Sequence, residues 1–220
     1  MGEKRYRIIY EDDHIIAVDK PAGMLVIETP NKEKNTLSAL LNKELDERGV
    51  EPNAYPCHRL DRETSGVIIY AKGKKIQQLV MDEFKNRAVK KCYVAIVHGN
   101  LGRESGTIKG RIYNRNKKRD EPAATHYKVV RRANSYDVVE VEPVTGRTNQ
   151  IRIHFKGIDH PLVGESVYAF RKDFALKFHR AALHASYIRF KHPATGEMID
   201  FVSPLAEDMK SFLEKSGGKE

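Results

Sequence analysis

Two segments of the sequence concentrate residues able to do chemistry. The first is His58-Arg59-Leu60-Asp61-Arg62-Glu63-Thr64-Ser65-Gly66, which runs directly into the apolar stretch Val67-Ile68-Ile69-Tyr70-Ala71. A carboxylate just ahead of a buried strand sits at a sheet edge, where loops carry functional groups. The neighbouring cations Arg59 and Arg62 favour an ionised Asp61 at neutral pH, which suits a nucleophile or a general base. On spacing alone the segment also reads as a surface turn with a local Asp–Arg pair. A hydrolase built on Asp61 and Glu63 is disfavoured, because two carboxylates this close on a loop diverge rather than straddle a glycosidic bond. The second segment is Thr145-Gly146-Arg147-Thr148-Asn149-Gln150-Ile151-Arg152-Ile153-His154. Gly146 marks a turn. The alternation after it predicts a strand over 150–155, with Gln150 and Arg152 on one face and Ile151 and Ile153 on the other. Judged alone, that pattern favours a plain amphipathic strand with a solvated face.

The elements that must position these residues are legible from periodicity. Residues 7–18 read as two short strands around the turn Glu11-Asp12-Asp13-His14, and Lys20-Pro21-Ala22-Gly23 breaks the pattern. A helix is predicted over 36–49, with Leu37, Leu40, Leu41 and Leu45 on one face, Asn35 or Thr36 as cap and Gly49 as stop. Residues 66–72 fit a buried strand. Residues 74–87 fit a second helix facing inward through Ile76, Leu79, Val80 and Phe84. Strands are predicted over 91–99, 136–142, 184–191 and 198–202. The basic stretch 109–119 reads as a hairpin or loop. Ser203-Pro204 is expected to open a last helix lined by Leu205, Met209, Phe212 and Leu213. Strands outnumber helices and do not alternate with them regularly, so the fold class is α+β with a largely antiparallel sheet.

Composition narrows the function. Among 220 residues there are 39 Lys+Arg against 30 Asp+Glu, a formal net charge of +9, which suits a polyanionic partner. No apolar run approaches the roughly 20 residues of a membrane helix, and no secretory leader is visible. Cys57 and Cys92 form no CxxC pair, which excludes a disulfide scaffold or a thiolate zinc cage and suits a reducing cytoplasm.

Taken together the motifs resemble one family. HRLDRETSGVIIYAK is similar to the signature of the RluA-type pseudouridine synthases. KKCYVAIVHG (90–99), ATHY (124–127), PVTGRTNQIRIH (143–154), HPLVGESVYA and RAALHASYIRFKHPATGE resemble the family's further blocks in order, as does the opening YEDDHIIAVDKPAGMLV. The resemblance spans residues 6–210. Asn149 stands where many members have His, Asp159 where Gly is usual, and Glu165 where Asp is usual.

The resemblance implies a single catalytic domain over 1–220 with a core at 6–210 and a frayed tail at 215–220. It implies the pseudouridine synthase fold, with a mixed, largely antiparallel central sheet in two lobes flanked by helices and an active site in a central cleft. It implies a short member without an N-terminal S4 RNA-binding domain. The family isomerises uridine in RNA to pseudouridine with no cofactor and no metal. The catalytic carboxylate falls on Asp61, the active-site Tyr on Tyr93, and the Arg that pairs with the Asp on Arg152. Leu183 falls on an apolar position lining the uracil site. Arg59 falls on the Arg that fills the gap left by a flipped base. Arg62, Lys91 and Arg147 are expected at the RNA. The stretch 109–119 and Lys85, Arg87, Lys90 and Lys91 are candidate backbone contacts. His58 is expected to be structural. The partner is ribosomal or transfer RNA and the expected state a cytoplasmic monomer. A catalytically inactive RNA-binding assembly factor of the same fold is the alternative, and intact Asp61, Tyr93 and Arg152 argue against it.

Overall fold

The computed structural model describes residues 6–30, 33–115, 117–169 and 176–216. The fold is mixed α+β, and every strand pairing with a described register is antiparallel. The chain forms two compact units. One comprises Met1–Lys90 and Ala185–Pro204, the other Lys91–His184 and Leu205–Glu220.

In the first unit, β1 (Arg7–Glu11), β2 (Ile15–Lys20) and β4 (Ser65–Lys72) lie side by side, with β3 (Ala54–Pro56) also on β4 and β10 (Met198–Val202) on β9 (Leu183–Lys191). Both faces of β4 are covered, and all eight of its residues are buried. The core gathers Ile15, Val67, Ile69, Phe190 and Phe201. The helix α1 (Leu37–Glu47) begins where Thr36 accepts a hydrogen bond from the Ala39 amide, and it buries Leu37, Leu41 and Leu45 at every fourth residue. It stops at Gly49, whose φ of 68° is cheap only for glycine. In α2 (Lys74–Lys85), Ile76, Val80 and Phe84 face the core, while Leu79 turns outward.

In the second unit the strand order is β5 (Lys90–His98), β8 (Tyr136–Pro143), β7 (Arg119–Arg132), β6 (Ser105–Asn114). The described residues of 109–119 thus belong to the β6–β7 hairpin. The return segment lines β5: Val163 N donates to Ile96 O at 2.8 Å, and Ile96 N donates to Ala182 O at 3.1 Å. One cluster of this unit holds Ala95, Val139, Phe155 and Leu162, and another lies under α4 (Glu207–Ser216) around Tyr136 and Met209.

Two expectations need correction. Residues 150–155 are not a strand but most of a helix, α3 (Gln150–Gly157). Ile151 and Phe155, four apart, enter the core together, while the intervening polar residues are buried because they have partners. The last helix starts at Glu207, not at Ser203-Pro204, because Ser203 Oγ is engaged with Asp19 Oδ1 at 2.7 Å.

Candidate active site

The loop carrying Asp61 leaves β3 and turns back into β4. Cys57 N donates to Ile69 O at 2.9 Å, and His58 Nε2 accepts from Ile69 N at 3.1 Å. The His58 ring lies 4.8 Å from that of Phe84, so His58 fastens the loop to β4 and α2, as expected of a structural residue. Burial pushes the Cys57 thiol up to about 12, which leaves it inert at neutral pH. Leu60 is buried, and Thr64 N closes the turn onto Asp61 O at 3.1 Å.

The far side of the loop is held by a lysine that sequence reasoning read only as part of a strand break. Lys20 is 0 % exposed, and its ammonium donates to Pro21 O (2.9 Å), Met24 O (2.8 Å) and Arg62 O (3.3 Å). Gly23 N also donates to Arg62 O at 2.8 Å, and Arg62 Nε returns to Gly23 O at 3.1 Å. A buried ammonium is tolerated because carbonyl dipoles replace its water. The residue following Asp61 is therefore pinned by its carbonyl, and Asp61 itself stands half-buried between two anchored neighbours. Arg59 and Arg62 are exposed. Gly66 completes the frame. A Cβ there would lie 2.2 Å from Ala185 O, and its φ is +112°, so no other residue lets β4 approach Ala185 so closely.

The second unit holds Tyr93, Lys91, Arg147, Arg152 and Leu183. Tyr93 on β5 and Leu183 at the start of β9 belong to the same apolar cluster, and α3 packs on that cluster through Ile151 and Phe155. Three of the expected residues, or the element bearing them, therefore converge. Arg152 is 5 % exposed, and Glu165 grips it side-on: Nε to Oε2 at 2.7 Å and Nη2 to Oε1 at 2.6 Å. Burial alone raises the Glu165 pKa, but Arg152 and the amides of Val167 and Tyr168 outweigh it, so the carboxyl sits below its ordinary range. Oε1 also accepts from Ser166 N at 2.9 Å. The Tyr168 ring lies 5.5 Å from the Arg152 guanidinium, and Asn149 Nδ2 donates to Tyr168 Oη at 2.8 Å. Asn149 has φ 54°, a left-handed conformation that Asn accepts more readily than most side chains.

Glu165, Tyr168 and Lys20 brace the candidate site residues and were missed by sequence reasoning. Two signals were present: a lysine ending the apolar run Ile15-Ile16-Ala17-Val18, and a lone acid in an apolar Leu-Val-Gly context.

The loop before α3 is organised by Gln150. Its Oε1 accepts from Thr145 Oγ1 (2.6 Å) and Arg147 N (3.1 Å), and its Nε2 donates to Ala124 O and Thr125 Oγ1. Arg147 Nη1 pairs with Glu121 Oε2 at 2.8 Å. Hydrogen bonds from Lys117 and Asn114, with Arg147 nearby, hold Glu121 down at about 2. Lys91 Nζ lies 3.7 Å from where a Cβ of Gly146 would be, and burial lowers its pKa.

Among the described residues, Asp12, His14 and His192 form a group of metal-ligand types. Their atoms serve a turn instead. Asp12 Oδ1 accepts from the amides of His14 and Ile15, and Oδ2 accepts from Tyr10 Oη and pairs with His192 Nε2 at 2.9 Å. His192 Nδ1 accepts from the amides of Ala194 and Thr195. This set fits a turn lock better than a cation site.

The RNA pseudouridylate synthase family matches this chain over residues 14–157, a span holding Asp61, Tyr93 and Arg152. An uncharacterized RNA pseudouridine synthase of Bacillus subtilis is 36 % identical over 218 residues, covering 94 % of this chain and 71 % of that one. The ribosomal large subunit pseudouridine synthase D of Pseudomonas aeruginosa is 34 % identical, covering 91 % and 68 %. The solved structure of human RNA Pseudouridylate Synthase Domain Containing 4 superposes with a TM-score of 0.80 at 25 % identity, over 96 % of this chain and 92 % of that one. The human Domain Containing 1 protein shares the fold with a TM-score of 0.72. The chain belongs to the RNA pseudouridine synthase family, whose members are isomerases acting on RNA. No helix among the described residues is long and apolar enough to cross a membrane.

Proposed function

We propose that this isomerase converts specific uridines of ribosomal RNA, transfer RNA or both to pseudouridine, with Asp61 as the catalytic carboxylate. The observation that carries this reading is the motif His58–Gly66 inside the matched span, on a loop fastened at both ends. The uracil leaves C1′ through N1, turns, and rejoins through C5; the C5 proton is lost and N1 gains one, so the reaction is redox-neutral. Asp61 acts either as nucleophile at C1′ or as base on the sugar, and both roles need it ionised. Tyr93 packs against uracil and takes the C5 proton. Arg152 supplies the cation that the family correspondence assigns to the carboxylate. Leu183 lines the uracil site, Arg59 fills the gap left by the flipped base, and Arg62, Lys91 and Arg147 contact RNA. A ribosomal target is favoured by relatives named for the large subunit. The enzyme works as a cytoplasmic monomer without cofactor or metal.

The test uses cellular RNA labelled with tritium at C5 of uridine. Wild type releases the label, and Asp61→Asn lowers the rate by at least about 10³-fold. Comparable release by Asp61→Asn sinks the assignment of Asp61.

A further inference from the structure

The stretch 109–119 entered as one basic segment, but the hairpin sorts its charges into two sets. On the inner side of the tip, Lys117 lies 2.8 Å, Arg119 3.8 Å and Arg147 2.8 Å from the nearly buried Glu121. There the three cations converge on one carboxylate and brace the turn. The outer set is different. Side chains alternate along a strand, so Lys109, Arg111 and Tyr113 of β6 share one face, while Ile108 and Ile112 point into the core.

All three outer residues are exposed, and Tyr113 has 58 % of its surface in solvent. Across the hairpin Lys109 faces Ala124 and Arg111 faces Pro122, small residues that screen nothing; Tyr113 faces Asp120. Among the described residues no ion pair or hydrogen bond engages the Lys109 side chain. That of Arg111 meets only a carbonyl, Asp120 O at 2.9 Å. Arg115 and Lys118 extend the basic row around the tip. Of the acids on this face, Asp120 stands opposite Tyr113 near the tip, while Glu140 and Glu142 lie on β8, behind β7 and away from the β6 edge.

We propose that the outer face of β6 is an RNA-binding ribbon for an unpaired strand, with Lys109 and Arg111 on the backbone and Tyr113 stacked on a base. The inference rests on the RNA substrate of the proposed function and deepens it. Cations two residues apart on a strand are spaced about 6.8 Å, so neighbouring cations can reach neighbouring phosphates. An exposed ring in line with them offers the stacking platform that single-stranded binding uses and that a paired helix cannot occupy. The competing explanation is that charge on an edge strand only deters edge-to-edge association.

Fluorescence anisotropy on the full chain separates the two, using a labelled unstructured uridine-containing 12-mer and a blunt RNA duplex across a salt series. Lys109→Ala/Arg111→Ala should weaken 12-mer binding and lower the slope of log affinity against log salt by about 1.4. Tyr113→Ala should weaken the 12-mer about tenfold, change duplex binding less than twofold, and be rescued by Tyr113→Phe. The control Lys43→Ala/Lys210→Ala removes the same charge elsewhere and should leave affinity near wild type. Circular dichroism confirms the fold of each variant. Unchanged affinity with new concentration-dependent association makes the edge merely protective and overturns the proposal. So does an equal loss on both RNAs, or an equal loss in the control. Tritium release by wild type, measured in parallel, keeps failure of the ribbon distinct from failure of the isomerase reading.

Discussion

Asp61 and Arg152 are both held in place, but by opposite means. The Asp61 loop is braced by a buried cation, Lys20, whose ammonium donates to three backbone carbonyls, Pro21 O, Met24 O and Arg62 O. Arg152 is held by a carboxylate, Glu165, which is itself fixed by three successive amides. The first device fixes chain conformation through main-chain carbonyls. The second fixes a guanidinium's orientation and offsets its charge. A loop that must present an anion gains from a buried cation, and a helix that must present a cation gains from a buried anion.

Three perturbations probe that contrast, from the largest expected effect to the smallest. Lys20→Met should cost about 4 kcal/mol, because Pro21 O and Met24 O lose a charged donor and Arg62 O keeps only the Gly23 amide. In hydrogen exchange the Gly23 amide should lose protection first. If the amides of 166–168 open to the same extent, the two devices are not independent. Glu165→Gln should cost about 3 kcal/mol, since it strands a buried guanidinium, whereas Glu165→Asp keeps the charge and should cost about 1 kcal/mol for the lost methylene. Urea unfolding of both variants gives the ranking, and a Gln variant as stable as wild type breaks the account of this grip.

The third is pH. Burial, with help from the charge of Lys177, lowers His98 from an ordinary 6.5 to about 4. Between those values the unfolded chain binds a proton that the folded chain does not, so stability falls as pH drops from 6.5 to 4. Glu165, held below its ordinary value, adds its loss as pH falls below about 4.5. The Lys20 ammonium is anchored on carbonyls, which do not titrate, so Gly23 should keep its protection longest under acid. Urea midpoints measured from pH 7 to 4 should slope, and His98→Gln should flatten that slope.

Much of this was legible in the sequence. The helices α1 and α2 follow from leucine and isoleucine spacing, and β4 from an unbroken apolar run. The motif around Asp61 is local in sequence. What failed was α3. A six-residue window with Ile151 and Ile153 between polar residues satisfies alternation, yet Gln150, Arg152 and His154 are all buried. Polar residues face inward there because Thr125, Glu165 and the Thr145–Arg147 loop partner them, save for His154 Nε2, and no local pattern encodes partners that distant. The same reason hid Lys20 and Glu165. The two departures at 149 and 165 looked unrelated at sequence level. The structure places both around Tyr168 and Arg152, where an Asn suited to positive φ meets the longer acid.

Neither unit is continuous in sequence. The first borrows Ala185–Pro204 and the second borrows Leu205–Glu220. On the ribosome, β4 therefore emerges long before the residues that approach it at Gly66, and Arg180 emerges before Asp208, its partner at 2.7 Å. Synthesis delivers an open apolar strand, and an Arg180 still without its Asp208 carboxylate, before residues 185–208 arrive. Folding of both halves thus waits for residues 185–208, and contacts this long in sequence make it slow. A growing chain of this enzyme has reason to depend on holding by chaperones until that stretch arrives.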